Sequence, residues 1–593
     1  MITDDLAALL RQAVLAARDA GEFSLPDDAV SVALETPKNK AHGDYSSNIA
    51  LTLKKATGIE NSRDIAARIL RHLPESPLIA RVEVAGPGFI NFYLKPDWLH
   101  DTLVRIETED VCYGTSRQRA GQRTLIEFVS ANPTGPINVV NGRAAVLGDV
   151  LANLLAAQGG EAAREYYIND ALNSRQLEIF AHSVYVRYLQ QLGYPVLIPA
   201  GNDEEEDVIE PGAAQPGQAG ELPLIHFPKD GYRGEYVKDI ARQIVAEVGA
   251  GYAQAPEEER IAFFRRVTLE RMVAAQRAAL DAFGVHFDTW FFESSLYESG
   301  EVDRTIAILR ERGYAYEKDG ALWLRSTAFG DEKDRVLVRS NEKATYIAAD
   351  AAYHANKFGR GYNHLINIWG ADHHGYVARL KAGVAALGYN PDDLEIILTQ
   401  MVSLVRDGET VLGGKRKGNV IELKEDLIDE IGKDAARFYF LLNSYETPAT
   451  VDVELAKKQS NENPVYYVQY AHARLCNIRR RASEQGWELQ PADTVNRSLL
   501  SHPSELDVLR KLADYPTEVA LAAENYAPHR LTRYAIDLAS LLNIFYENCR
   551  VLPGKEEPVS PELTAARLAL VNGARIVLRN LLGLLGVTAP QQM

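Results

Sequence analysis

Cysteine is scarce in this chain. Only three occur in 593 residues, Cys112, Cys476 and Cys549, an odd number at wide spacing. That pattern argues against a disulfide framework or a zinc ribbon and suits a reducing, cytoplasmic setting. No stretch approaches the roughly 18 uncharged apolar residues that a membrane span needs, so no membrane partner is expected. The opening TDDLAALLRQAVLAARDAG is an amphipathic helix with acids at its start, unlike the basic-then-apolar layout of a signal peptide. There is no internal repeat. Excess positive charge is also missing, since 64 Lys and Arg face 81 Asp and Glu for a net charge of −17. Taken alone this weighs against nucleic acid, because phosphate binding runs on Lys and Arg. A local basic stripe can still serve, so the charge balance decides little.

The length allows three to five domains at about 150 residues each. The most informative stretch runs from Arg123 to Gly160. Thr124 to Val129 is apolar and β-branched enough for a buried strand, while Asn132, Pro133, Gly135 and Pro136 forbid regular structure after it. Asn141 can cap a helix that carries Val146, Leu147, Val150, Leu151, Leu154 and Leu155 on one face and stops at Gly159-Gly160. A second strand, Ala163 to Ile168, completes a βαβ unit. Its loop lies at the carboxyl end of the first strand, where free amides at a helix start favour an anion. Glu127, an acid just before that loop, suggests a ligand carrying a cation as well. On the residues alone a plain βα connection is an equal reading, because no G-x-G-x-x-G or complete P-loop occurs.

Residues 1–110 read as a small α+β module, with a helix, a loop KNKAHGDYSSN, a second helix and a strand pair around RVEVAGPGFINFYL. Strand and helix patterns alternate over 120–450, as in a parallel α/β sheet. Within them, residues 201–221 are acidic and then rich in Gly, Pro and Gln, as in a mobile surface insertion. From 455 to 593 nearly everything follows a helical period, which suggests a separate bundle.

Four further stretches could carry chemistry. In ATYIAADAAYHANKF, Tyr346 and Asp350 share a helix face, and a carboxylate beside a ring can clamp a guanidinium. A solvated face is the plainer reading. INIWGADHHGY is an apolar strand ending in Gly370, Asp372, His373 and His374, without the spacing of a metal site. QMVSLVRDGETVLGGKRKGN reads as two strands about RDGE and then a cationic glycine loop, Gly413, Gly414, Lys415, Arg416 and Lys417, either a surface turn or a carrier of lysine to a polyphosphate. SNENPVYYVQYAHARLCNIRRR interleaves aromatics with arginines, which suits either core packing or stacking on unpaired bases.

In order, EFVSANPTGP, REYYINDA, TYIAADAAYH, NIWGADHHGY and SNENPVYYVQYAHAR resemble the motifs of arginyl-tRNA synthetases, a class I aminoacyl-tRNA synthetase family. AHGDYSSNIA and GPGFINFYL are similar to that family's N-terminal domain. The resemblance implies a Rossmann-like parallel-sheet catalytic domain, an N-terminal α+β domain touching the outer corner of tRNA, and an all-α anticodon-binding bundle. It implies a monomer that activates arginine with ATP and Mg²⁺ and passes it to tRNA(Arg). Glu127, Tyr346 and Asp350 would line the arginine side-chain pocket, Asn132 would hold the α-amino end, and His374 would lie beside them. Ala131, Asn132, Pro133, Thr134, Gly135, Pro136, Ile137, Asn138, Val139, Val140 and Asn141 would form the ATP signature. Asn91, Tyr466, Tyr470 and Arg474 would meet tRNA.

Two signatures depart from the family. Where its members carry His-x-Gly-His, this chain reads Asn138-Val139-Val140-Asn141, and Lys-Met-Ser-Lys is replaced by Leu412-Gly413-Gly414-Lys415. Asparagine donates a neutral N–H but cannot become cationic. Two expectations follow. In one, Asn138, Asn141 and Lys415 serve a working enzyme; in the other, the chain is a relative that binds arginine or tRNA without activating the amino acid.

Overall fold

The structure is a computed structural model. It describes all residues except 1, 27–29, 36, 38, 96, 172–173, 201–206, 214–221, 412–420 and 555–557. Its centre is a five-stranded, wholly parallel sheet. The strands are β1 (Arg123–Glu127), β2 (Glu161–Ile168), β3 (Thr289–Phe292), β4 (His364–Gly370) and β5 (Leu394–Thr399), in the spatial order β5-β4-β1-β2-β3. Parallel strands need both faces covered, and the sequence supplies near-continuous apolar runs such as Leu365-Ile366 and Leu125-Ile126, which pair in register. From β1 the chain first builds outward to β2 and β3, then returns to lay β4 on the opposite flank. That reversal opens a crevice at the carboxyl ends of β1 and β4, the place where such sheets bind ligands.

Helix α1 (Val139–Ala157) joins β1 to β2. It is buried nearly all round, and Gly148 is what lets it approach, since a Cβ there would come 2.3 Å from the Phe128 ring. Its two charges are matched inside the fold. Arg143 donates to the carbonyls of Gln400 and Ser444, and Asp149 pairs with Arg164 and Arg437. Helix α2 (Tyr346–Gly359) precedes β4. Between β2 and β3 stands an inserted body with its own core, built on helices Arg175–Gln191, Glu235–Val248 and Glu257–Ala282.

The N-terminal module packs helices Ile2–Asp19 and Ser62–Arg71 on three antiparallel strands, with Phe89–Leu94 between Tyr45–Ser47 and Ile79–Ala85. The strand Tyr45–Ser47 lies in what the sequence alone reads as loop. It is too short to show an alternating pattern, and pairing with Ser46↔Asn91 creates it. The C-terminal bundle comprises α3 (Pro464–Glu484), α4 (Pro503–Glu524), α5 (His529–Asn548) and α6 (Pro561–Leu585).

The bundle packs directly against the catalytic domain: α1 and the bundle helices share one continuous core and Asn153 donates to the Leu584 carbonyl at 3.0 Å. Two helices, Val139–Ala157 and Pro561–Leu585, are long and apolar enough to cross a membrane by length and composition, but each carries charged residues and is mostly buried inside the fold, so neither is an uncharged run. One expectation is revised, that of a wholly mobile insertion. Within 201–221, Val208–Glu210 forms a strand antiparallel to Val196–Ile198, fixed by the Arg187–Glu210 ion pair at 2.5 Å. A composition argument cannot see that partner. The rest of that stretch, 201–206 and 214–221, lies outside the described residues.

Candidate active site

The loop after β1 is held out of regular geometry. Val129 and Ser130 both have left-handed backbone, at φ 68° and 38°, unusual for a β-branched residue. The bend returns the Ser130 hydroxyl to Glu127 Oε1 at 3.2 Å, while Ser130 Oγ accepts from the Tyr167 amide. Tyr166 accepts from the Ala131 amide, and Gln276 donates to the carbonyls of Asn132 and Gly135. Apart from Glu127 on β1, these partners lie on β2 or the inserted body, so the 131–137 loop is fixed from outside itself.

Helix α1 begins three residues earlier than the sequence suggests. Asn138, not Asn141, is its N-cap, and the two side chains form a reciprocal box. Asn138 Oδ1 accepts from the Asn141 amide at 2.9 Å, and Asn141 Oδ1 accepts from the Asn138 amide at 3.3 Å. Asn-x-x-Asn reads as an unremarkable repeat in sequence, yet it satisfies two of the helix's orphan donors. The box uses both carboxamide oxygens and leaves both carboxamide N–H groups uncommitted by it. Val139 and Leu423 clasp the loop to residues 421–423 through backbone bonds, Val139 N to Ile421 O and Leu423 N to Ile137 O.

Across the crevice, α2 carries Asp350, and its carboxylate accepts from the Tyr376 hydroxyl. Burial raises the Asp350 carboxyl to about 6, with the negative charge of Glu127 adding to the rise. Two acids that the sequence reading missed stand with it. Glu293, directly after β3, is 2% exposed and its Oε2 has no hydrogen-bond partner. Burial first, and then the charge of Asp350, raise its carboxyl to about 7. Asp170, after β2, accepts from the amide and hydroxyl of Ser294 and so positions the Glu293 turn. The available signal was position, since Asp170 and Glu293 each follow a strand that ends in this crevice.

The other expected residues fall in different surroundings. Tyr346 opens α2, is 67% exposed, and lies close enough to Tyr297 to influence its ionisation. Asn132 is exposed at the loop and donates to Gln176 at 3.0 Å. His374 is exposed on the turn after β4. Glu127 is already paired, since the fully buried Lys357 ammonium sits 2.6 Å from its Oε2. Gly413, Gly414, Lys415, Arg416 and Lys417 lie outside the described residues. Asn91 departs from the expected surface contact: it is buried at 2% exposure and accepts from Ser46 at 2.7 Å, so its amide ties two strands together. On α3, Tyr466 and Tyr470 stack at 6.0 Å with Tyr470 exposed, while Arg474 lies over the Tyr546 ring and donates to Asn543.

Models of three known families match the chain. They are the arginyl tRNA synthetase N-terminal domain over residues 3–94, the class I (R) tRNA synthetase catalytic domain over 226–472, and the DALR anticodon binding domain over 468–593. An arginine–tRNA ligase of Carboxydothermus hydrogenoformans is 47% identical over 592 residues, covering 100% of this chain and 99% of its own length. The chain belongs to the arginyl-tRNA synthetase family. A second arginine–tRNA ligase, from Moorella thermoacetica, is 47% identical and covers 99% of this chain and 98% of itself. The arginyl-tRNA synthetase structure of Thermus thermophilus, at 22% identity, shares the fold over 100% of both chains with a TM-score of 0.72. The crevice thus combines a helix start, a geometry that suits an anion, with the Glu293 and Asp350 carboxylates.

Proposed function

We propose that this chain is an arginine–tRNA ligase that activates arginine with ATP, releases pyrophosphate, and transfers the arginyl group to the 3′ end of tRNA(Arg). One observation carries the reading: the buried Glu293, with an unpaired oxygen, and the half-buried Asp350 stand in the crevice where the α1 N-terminus opens. Two carboxylates match the forked donors of a guanidinium, whereas lysine presents a compact point charge. Tyr346 covers the pocket at its rim, Asn132 and His374 meet the amino-acid end, and Glu127 sets the charge behind them.

The phosphates of ATP lie at the amino end of α1. There the positive end of the helix and the carboxamide N–H groups of Asn138 and Asn141 stabilise the charge that develops as the arginine carboxylate attacks the α-phosphorus. Lys415, with Arg416 and Lys417 beside it, neutralises the leaving pyrophosphate. Mg²⁺ enters on the nucleotide. Tyr466, Tyr470 and Arg474 contribute to the tRNA surface of the bundle, and the N-terminal module meets the outer corner of the tRNA. The enzyme works as a cytoplasmic monomer.

The test is ATP–pyrophosphate exchange with and without tRNA. Exchange that depends on arginine, ignores lysine, and requires the tRNA is the expected result. Absence of arginine-dependent exchange in the presence of cognate tRNA would sink the assignment.

A further inference from the structure

Lys357 is an unusual residue to find in a pocket built for a cation. It is fully buried in the last turn of α2, 2.6 Å from Glu127 Oε2, 3.1 Å from Asn367 Oδ1 and 4.1 Å from the centre of the Tyr353 ring. Asn367 in turn donates to His354 Nε2 at 2.8 Å, and His354 Nδ1–H donates to the backbone carbonyl of Asp350 at 2.7 Å. Burial and the nearby ammonium hold the His354 ring neutral, which fits this donor–acceptor arrangement. The chain of bonds therefore runs without interruption from Glu127 on β1, through Lys357 and β4, to the residue that presents the Asp350 carboxylate.

We propose that Lys357 is a specificity-determining positioning residue: its ammonium occupies Glu127, so that the substrate guanidinium is left with Asp350 and Glu293 alone. This rests on the arginine-binding reading above and sharpens it. Three acids facing one guanidinium would overcharge the crevice, and Coulomb energy in a poorly solvated site is large. With Lys357 in place the pair is self-neutral. Glu127 then works indirectly, by fixing Ser130 and the strained bend that leads into the 131–137 loop.

The groups facing Glu127 are Lys357, Asp350 and Tyr353 on α2, Tyr167 on β2, and Ser130 on its own loop. Behind them Glu165 is neutralised by two bonds from Arg360. Of these only the Lys357 ammonium supplies a positive charge in contact with Glu127.

The full-length protein decides the matter by calorimetric titration with arginine. In Glu127→Gln the ammonium loses its counter-charge beside the incoming cation, and arginine should bind about tenfold more weakly or worse. Adding Lys357→Met to that variant should recover most of the loss, and Lys357→Arg alone should keep near-normal affinity. Lys357→Met by itself leaves Glu127 free to meet the guanidinium, so the ratio of arginine to lysine affinity, read by parallel titrations, should fall. A lysine that only holds the fold would leave that ratio unchanged. If the double variant binds no better than Glu127→Gln, Glu127 touches the substrate directly and the inference is wrong. Should Lys357→Met prove too unstable to handle, the other two variants still separate these outcomes. Failure of the unmutated protein to bind arginine would instead count against the proposed function.

Discussion

Glu293 lies near enough to Asp350 to feel its charge, and burial raises both carboxyl groups, to about 7 and about 6. A guanidinium binds the ionised forms, so arginine affinity should tighten as pH rises from 6 to 8. Glu293→Gln should flatten that profile and weaken arginine by about 10- to 100-fold, the range for losing a hydrogen bond to a charged partner. Titration at several pH values checks both. The same shifts have a stability consequence of opposite sense. The folded chain holds the Glu293 proton more tightly than the unfolded chain, whose carboxyl titrates near 4.5. Stability without ligand therefore falls as pH rises from about 4.5 through 7, and arginine offsets the fall. The rise in Tm on adding arginine should be larger at pH 8 than at pH 5; an equal rise at both would refute the assignment.

At the level of elements, α1 and its cap carry the second prediction. Asn141→Asp keeps an acceptor for the Asn138 amide and an acid near the helix start, so the Tm should hold or rise slightly. It replaces the carboxamide N–H with a negative charge, and exchange should fall by about 10²–10³, as when an oxyanion donor is lost. Asn138→Ala removes the cap itself and should cost about 1 kcal/mol in denaturant unfolding. The glycine-lysine loop gives the third prediction. Lys415→Ala should slow activation far more than it weakens arginine, because the proposed role of the lysine is to neutralise the departing pyrophosphate. Unchanged exchange in that variant would show the loop has another role.

On the scale of the whole molecule, the N-terminal module is seated on the bundle by polar contacts that span more than 400 residues of chain. The Tyr45 hydroxyl donates to Asp514 Oδ1 at 3.0 Å and Arg510 pairs with Asp44 at 3.1 Å. Tyr45→Phe leaves the Asp514 carboxyl short of a partner and should cost about 1–3 kcal/mol. It should also weaken tRNA binding while arginine affinity stays put. Parallel tRNA and arginine titrations test this, and an equal loss in both would refute it.

Much of the central machinery was legible in sequence because it is local. The βαβ unit announces itself through apolar runs separated by Pro and Gly, and Tyr346 and Asp350 share a face by helical spacing alone. The order of short motifs was specific enough to point to the family. What the sequence could not reveal is who pairs with whom across the fold. Glu127 reads as an open acid until Lys357, 230 positions away, is brought against it. Asn138 and Asn141 read as failed histidines until the helix start makes them a cap. Glu293 offers only its position after a strand, and the parallel pairing of β3 with β2 is what turns it inward. Covalent order fixes periodicity and turns, whereas charge compensation inside a crevice depends on elements that meet only after the sheet has closed.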